Sequence, residues 1–406
     1  MARTLLLLGG SAQQVIAIQK AKECGYRTVV CDYLPDNPGQ HHADAFYLVS
    51  TTDKDAVLEV ARAEHADGVV AYASDPAAPT AAYVAEALGL PTNPRASVDI
   101  LSTKTLFREH MRGIGLPCPQ SVGIPADSSL AFAQEAVAAL RFPIVVKPTD
   151  SSGSKGVTVL QSPDDVGRRL VPALEFAKPF NRNGMLIAEE YIGGAVPHVV
   201  GGDIFVQDGR VRLWGFADCQ RRPEHPTLPD MEVIPPNVAP WQLALIKKAL
   251  QRLVESLGIR FGAMNIEAIL DTDGTPYILE LAARAGGNML PVQLSDVSGI
   301  DVVRAVVMCA MGDDPGPLDW EPSNEYNLAY VLHSPVDGIY RGYTLSPQTE
   351  RACYRRVIYQ EPGAPVERFG NASGAMGILF FSFDDEPTLR DVAAHITDHV
   401  HVLVEK

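Results

Sequence analysis

Much that would assign a role at once is missing from this 406-residue chain. Positive charge is scarce: 34 Lys and Arg face 49 Asp and Glu, for a net charge of −15, so no basic surface is available in bulk to hold a nucleic-acid backbone or an anionic membrane. No apolar run approaches the roughly 20 residues of a membrane span, and the opening MARTLLLLGGSA is too short an apolar stretch for a signal peptide. The cysteines, Cys24, Cys31, Cys118, Cys219, Cys309 and Cys353, form no CxxC pair and no Cys/His cluster at zinc spacing, and they read as reduced, mostly buried thiols. Neither GxxxxGK[ST] nor a full GxGxxG occurs. These absences leave a large cytoplasmic protein whose partners are neither nucleic acid nor membrane. With 46% hydrophobic residues it can bury several cores, and its length suits about three domains.

What is present centres on Phe261 to Arg284. FGAMNIEAILDT and TPYILELAAR are apolar runs joined by Asp273-Gly274, the dipeptide that closes a two-residue type I′ hairpin. With Thr272 opposite Thr275, Glu267 falls opposite Glu280 and Asn265 opposite Ala282. Met264, Ile266, Ala268, Leu270, Tyr277, Leu279, Leu281 and Ala283 then share the core-facing side. Two opposed carboxylates lie roughly 5 Å apart at Cβ and repel unless a cation sits between them. Magnesium is usually held in this way, by two carboxylates with water and phosphate completing its shell. The alternative is an exposed hairpin with both glutamates in solvent, or one of them neutralised by a raised pKa.

Other segments add to this picture. FPIVVK ends on Lys147, locked by Pro148, and runs through Asp150-Ser-Ser-Gly-Ser-Lys-Gly156 into VTVL. A Gly/Ser loop between two strands is either an ordinary solvated hairpin or a mobile flap whose N–H groups close over a polyphosphate. LIAEEYI is an apolar strand that ends on Glu189 and Glu190, before Gly193-Gly194. Ser102 is a plausible N-cap for a helix with Lys104 in its first turn, where a cation opposes the helix dipole. At the N-terminal end, TLLLLGG, a helix near Gln13 to Cys24, RTVVCDY, a helix near Asp55 to Glu64, and GVVAYAS alternate strand and helix, which predicts a parallel sheet. Gly9-Gly10 and Asp32 there invite a dinucleotide reading that the incomplete glycine motif does not support. Leu243 to Leu257 has helical apolar spacing and a stop at Gly258. Asp218 to His225 reads as a long polar loop. After Pro322 come three strands, YNLAYVLH, RACYRRVIYQ and AMGILFFSF, and a helix from about Glu386 to Val400, with FGNASGAMG either a turn, the default assignment, or a Gly-rich loop that reaches the active site.

In this order, Lys104, the VVKP lysine, DSSGSKG, EEYI, NIEAIL and LELAARAGG resemble the ATP-grasp superfamily over about residues 100 to 295. The flanks resemble those of its glycinamide ribonucleotide synthetase, biotin carboxylase and amino-acid ligase branches. The resemblance implies an α/β fold: a Rossmann-like parallel-sheet domain over 1–100, an ATP-grasp lobe with the phosphate flap over 101–192, a metal-binding lobe over 193–320, and a small β-rich α+β domain over 321–406. It implies ATP and Mg²⁺ as cofactors, with Mn²⁺ as the substitute metal. It assigns phosphate contacts to Lys104 and Lys147 and the flap to Ser152, Gly153, Ser154, Lys155 and Gly156. Adenine falls to Glu189, Glu190, Tyr191 and Ile192, the metal to Glu267 and Glu280, and the transferred phosphoryl group to Arg284. Gly286, Gly287 and Asn288 form the loop beyond.

Two departures stand out. Where the motif carries asparagine two residues after the second glutamate, this chain has Ala282, and Asn265 directly across the hairpin is the candidate replacement, the alternative being water. His198 sits roughly where many relatives keep a ribose-binding glutamate, although a lone strand histidine is more often structural. Ser74 and Asp75, after the third strand, and Arg221, Arg222 and His225, in the polar loop, are further substrate candidates. The implied reaction is ATP-dependent activation of a small carboxylate as an acyl phosphate, followed by attack of an amine, with amino acids among the candidate substrates and a homodimer among the candidate assemblies. The alternatives are a bicarbonate-using ligase akin to biotin carboxylase and a non-catalytic ATP sensor or assembly subunit.

Overall fold

The structure is a computed structural model and describes residues 2–194, 197–222 and 225–406, without the side chains of 225–227. Its first sheet is parallel throughout, in the order Ala45–Leu48, Arg27–Asp32, Thr4–Leu8, Gly68–Val70. Full burial of TLLLL follows from helices packing on both of its faces. Asp32 accepts from the Gly10 and Leu34 backbone N–H groups, and a Cβ on Gly9 or Gly10 would strike Gln14 or Asn37. Gln14 and Asn37 thus pack directly on the glycine turn, and Asp32 is engaged by the backbone there.

Residues 121–190 form a second sheet of four antiparallel strands, ordered Ser121–Pro125, Met185–Glu190, Ile144–Pro148, Thr158–Leu160. The Gly/Ser segment is the connection between its last two strands, as predicted. Helices Leu130–Ala138 and Val166–Ala177 bury Ala133, Val137, Leu170 and Ala173 against Ile144, Val146 and Leu186.

The largest sheet has eight strands. Its order is Pro276–Ala282, Phe261–Leu270, His198–Gln207, Arg210–Arg222, His225–Ile234, Tyr326–His333, Ala375–Phe383, Cys353–Ile358. Two expectations change here. Asp218 to Arg222 is not part of a free loop but the paired end of a strand, because Asp218, Cys219 and Gln220 ladder with Val233, Glu232 and Met231. Tyr326–His333, Ala375–Phe383 and Cys353–Ile358 also join this same sheet, since Met231 pairs with Tyr330 and Val233 with Leu328, while Gly338–Leu345 pairs with Pro365–Val366 and Val400–Glu405 in a separate one. The predicted boundary at 320/321 therefore falls between neighbouring strands of one sheet. YNLAYVLH and AMGILFFSF form strands over the residues read from sequence, while RACYRRVIYQ is a strand only over Cys353–Ile358, after the short helix Pro347–Ala352. The strand Gly338–Leu345 was not read from the sequence. One face of the sheet buries Val200, Ile204, Ile266 and Leu281 under helix Pro240–Ser256, through Ile246, Leu250, Leu253 and Val254. The other face looks toward the second sheet. Among the described residues no helix is long and apolar enough to cross a membrane.

Glycine is required at one point in the centre of this sheet. Gly202 has φ +130°, and a Cβ there would lie 1.9 Å from the Gly215 carbonyl oxygen of the neighbouring strand. Gly202→Ala is therefore expected to destabilise the protein by about 1–3 kcal/mol, through overpacking and backbone strain, measured as a lower urea midpoint with an unchanged m-value.

Candidate active site

The hairpin pairs Glu267 with Glu280 and Asn265 with Ala282, as predicted, but by a different route. Asp271 N–H bonds the Thr275 carbonyl, Gly274 N–H bonds the Asp271 carbonyl, and Gly274 has φ +82°. This is a three-residue turn with a left-handed glycine, one residue longer than a type I′ turn. Pairing thus begins one residue out of step, with Leu270 opposite Pro276 and Ala268 opposite Ile278. A bulge between Glu267/Ala268 and their partners restores the step and leaves Leu279 as the extra residue. The core side changes accordingly. Ile278, not Tyr277 or Leu279, packs with Ile266 and Leu281, while Tyr277 and Leu279 join Ile192, Val199, Cys219 and Ile269 on the opposite side. The freed Leu279 carbonyl accepts from Arg108 Nη1 at 2.8 Å.

Arg108 was not anticipated from the sequence, and it is fully buried. Its Nε lies 3.0 Å from Glu189 Oε2, and Lys147 Nζ bonds the other Glu189 oxygen. Burial alone would raise the pKa of Glu189, but Arg108 and Lys147 outweigh it and hold it at about 2. Burial lowers the pKa of Lys147 despite Glu189, with Arg108 and Lys104 acting in the same direction as burial. The Glu189 carboxylate is therefore the anchor of the lysine and not a group open to a base. Glu190 is held from the other side, by the Arg141 N–H and guanidinium. Of the EEYI backbone, Glu190 and Tyr191 donate to Gln120 and Pro143, whereas the N–H of buried Ile192 finds no acceptor among the described residues.

A single cleft of about 330 Å³ gathers most of the predicted residues: Lys104, Lys147, Ser152 to Lys155, Glu189 to Ile192, Glu267, Glu280, Arg284, Gly287 and Asn288. Lys104 is the first residue of helix Lys104–Gly113. The N-cap is Thr103 rather than Ser102, which ends the preceding helix. Lys104 Nζ donates to the Ser151 carbonyl at 2.6 Å, tying the helix start to the flap. Gly153, Ser154 and Gly156 all take positive φ, which turns the loop tip back on itself. At that tip a Cβ on Gly153 would lie 3.6 Å from Ala372, so the FGNASG segment read as a turn reaches the flap. Arg284 clamps Asp75 through two bonds of 2.7 Å, and Asn288 N–H bonds Gln13.

Some predicted residues point elsewhere. His198 does not line the cleft; its Nε2 pairs with Asp218, which also holds Arg390 and the Asn237 N–H. Arg222 turns onto Asp230, Ser74 is not among the lining residues, and Gly156 packs against Phe180 and Pro148. The His225 side chain lies outside the described residues. Gly286 lies beneath the cleft, its N–H bonding Asp203 Oδ2. Asp203 was missed in the sequence. It is 1% exposed, burial pushes its pKa up to about 6, and its second oxygen accepts from the Asn265 amide. A carboxylate after paired glycines in an apolar strand, GGD, was the available signal.

Whether a cation fits can be judged from the donors. Asn265 spends its amide hydrogens on Gly202 and Asp203, and its Oδ1 has no partner among the described residues. Glu267 gives one oxygen to Arg221 at 3.0 Å, and Glu280 makes no hydrogen bond or ion pair among the described residues. Burial, reinforced by Asp75 and Glu267 and opposed by Lys104, raises the pKa of Glu280. Among the described residues no cluster of three or more His, Cys, Asp or Glu could hold a metal alone. Two carboxylates and an amide oxygen suit Mg²⁺ that arrives with phosphate, which takes one or two protein carboxylates, and do not suit an all-protein cage.

Comparisons with known proteins agree with this architecture. Residues 140–292 match the model described as ATP-grasp domain. Formate-dependent phosphoribosylglycinamide formyltransferase of Burkholderia thailandensis is 34% identical over 205 residues, 47% of this chain and 46% of the relative, so the chain spans about half the length of such curated relatives. An L-amino acid ligase from Bacillus licheniformis superposes with TM-score 0.80 at 20% identity, covering 100% of this chain and 99% of the other. Phosphoribosylglycinamide synthetase from Anaerococcus prevotii gives 0.74 at 18%, with 100% of both chains covered. The paired hairpin carboxylates and the flap lie within residues 140–292, the part of the chain that matches the ATP-grasp domain, and the chain as a whole shares the fold of the solved ligases.

Proposed function

We propose that the protein is an ADP-forming ligase: ATP converts a small-molecule carboxylate to an acyl phosphate, and an amine then displaces phosphate to give an amide. The observation that carries this reading is Glu280, a carboxylate opposed to Glu267 with no hydrogen-bond or ion-pair partner among the described residues, facing a lysine-rooted flap. Glu267 and Glu280, with Asn265 Oδ1, would hold Mg²⁺. When bound, the metal neutralises charge on the β- and γ-phosphates.

The chain's own residues supply the remainder. Ile192 N–H and the apolar side chains of Leu279 and Ile269 suit an adenine edge and face. Lys147 is held rigid by Glu189 and faces developing negative charge without reorganising, which is where fixed charges act best. Arg284, braced on Asp75, and Arg221, whose buried Nε has no acceptor among the described residues, are the groups for the substrate carboxylate. As the γ-phosphoryl group passes to that carboxylate, a P–O bond to ADP breaks and one to the acyl oxygen forms. Attack by the amine forms C–N, releases inorganic phosphate and loses a proton. The flap and the 369–374 segment exclude water, against which the acyl phosphate would not last. Six free cysteines fit a reducing, cytoplasmic setting.

An ADP-release screen over paired acids and amines tests the reading. Amine-dependent release with an amide detected by mass spectrometry supports it, and release driven by bicarbonate alone would point to carboxylation instead. Glu280→Gln is expected to lower ADP formation at least 100-fold while leaving the thermal midpoint within a few degrees, and near-normal turnover would remove its metal role. Asn265→Ala is expected to raise the Mg²⁺ concentration for half-maximal activity several-fold, and an unchanged Mg²⁺ dependence would show that its oxygen is not a ligand.

A further inference from the structure

Beyond the metal-binding hairpin the cleft continues across the large sheet. Its lining runs from Glu280 and Glu267 through Arg221 and Glu232 to Val331, on successive strands of the order already given. At about 4.8 Å per strand the passage from the Glu280 strand to the Val331 strand is roughly 24 Å. A triphosphate and its metal occupy only the first part of that length. The far part has its own chemistry. Glu232 stands opposite Cys219 in register, and one of its oxygens accepts from the Cys219 thiol. The other oxygen has no hydrogen bond among the described residues. Two residues on from Cys219, Arg221 faces the same cleft with an unpartnered buried Nε. Past Glu232 the lining turns apolar. Leu228, Val331 and Phe369 are 5%, 3% and 2% exposed, and they belong to the main core yet form the cleft wall. Phe369 is fixed there by stacking on His333, with ring centroids 4.2 Å apart.

Guanidinium, carboxylate and apolar wall thus follow one another on adjacent strands. An α-amino acid presents the complementary sequence of carboxylate, ammonium and side chain. Building on the ligase reading, we propose that the activated carboxylate belongs to an α-amino acid with an apolar side chain. Its carboxylate lies at Arg221, its ammonium at the free Glu232 oxygen, and its side chain against Leu228, Val331 and Phe369. This gives the C-terminal segment 367–374 a role in specificity, because the residue closing the side-chain pocket comes from there and not from the nucleotide-binding lobes.

The test is ADP release by the full chain with a fixed amine and a graded series of amino acids from alanine through valine and leucine to phenylalanine, set beside the same acids lacking the α-amino group. Phe369→Ala is expected to raise kcat/KM for the largest side chains relative to alanine by about tenfold, as expected for a pocket gaining several methylenes of space. Leu228→Ala, a smaller change on the facing wall, should shift preference in the same direction and guards against loss of folding in the first variant, with thermal unfolding monitored for both. Glu232→Gln should raise KM for amino acids about tenfold with KM for ATP unchanged, and should not alter KM for the acids that lack the amine. Folded variants that release ADP with unaltered side-chain and amine preference would overturn the subsite and leave the ligase reading standing. Absence of ADP release by the unaltered protein with every acid and amine pair would overturn both.

Discussion

Two like charges facing each other on adjacent strands are the constraint around which this molecule is arranged. Opposed Glu267 and Glu280 cost stability unless a positive group lies between or beside them. In the protein alone Arg221 meets one of them, and the other is left open toward the cleft. The backbone makes this opposition hard to avoid. A three-residue turn throws the hairpin out of step, and the bulge at Leu279 brings it back just before the glutamates. Arg108 caps the carbonyl exposed by that bulge and, with its remaining nitrogens, grips Glu189, which grips Lys147. The position of Lys147 is thereby tied mechanically to the hairpin that faces it across the cleft.

The charges lining the cleft are bound mostly to one another. Arg284 is committed to Asp75, Lys147 to Glu189, and Arg221 in part to Glu267. Buried pairs of this kind contribute little net stability, since desolvation offsets their attraction, but they hold each group at a defined place. The atoms left without partners are then informative. Among the described residues Ile192 N–H, Glu280, Asn265 Oδ1, Arg221 Nε and one oxygen of Glu232 have no hydrogen-bond partner, and all five residues line the same cleft, which is the basis of the proposed ligand set.

Patterns of short range were readable directly. The parallel N-terminal sheet, the strands YNLAYVLH and AMGILFFSF, the flap hairpin and the Glu267/Glu280 pairing each depend on alternation, turn residues or spacing within about twenty positions. The pairing was reached through two deviations of opposite sign, an added turn residue and an added bulge residue, which periodicity alone does not reveal. What escaped the sequence depends on contacts far apart in the chain. Arg108 looks like one more charge on a helix until Glu189 and Leu279 arrive from residues 81 and 171 positions away. Glu189 looked like a base-binding residue because nothing local shows that its side chain points inward. His198 was placed by motif position, whereas Asp218 decides where its ring goes. Glu232 gave no signal at all, being an acid in an apolar strand, and Phe369 had only the Gly-rich loop it opens, FGNASGAMG, to suggest that it could reach the site.

On the proposed reading, Glu267 and Glu280 jointly hold one divalent cation that arrives with the nucleotide. This is tested most directly by a crystal structure of the protein with Mn²⁺ and a non-hydrolysable ATP analogue, using anomalous scattering to locate the metal. The expected result is an ion coordinated by oxygens from both glutamates and from the terminal phosphates, at the short distances, about 2.0–2.2 Å, typical of hard octahedral cations. An ion bound to phosphate alone, with Glu280 turned away and Glu267 still committed to Arg221, would contradict it.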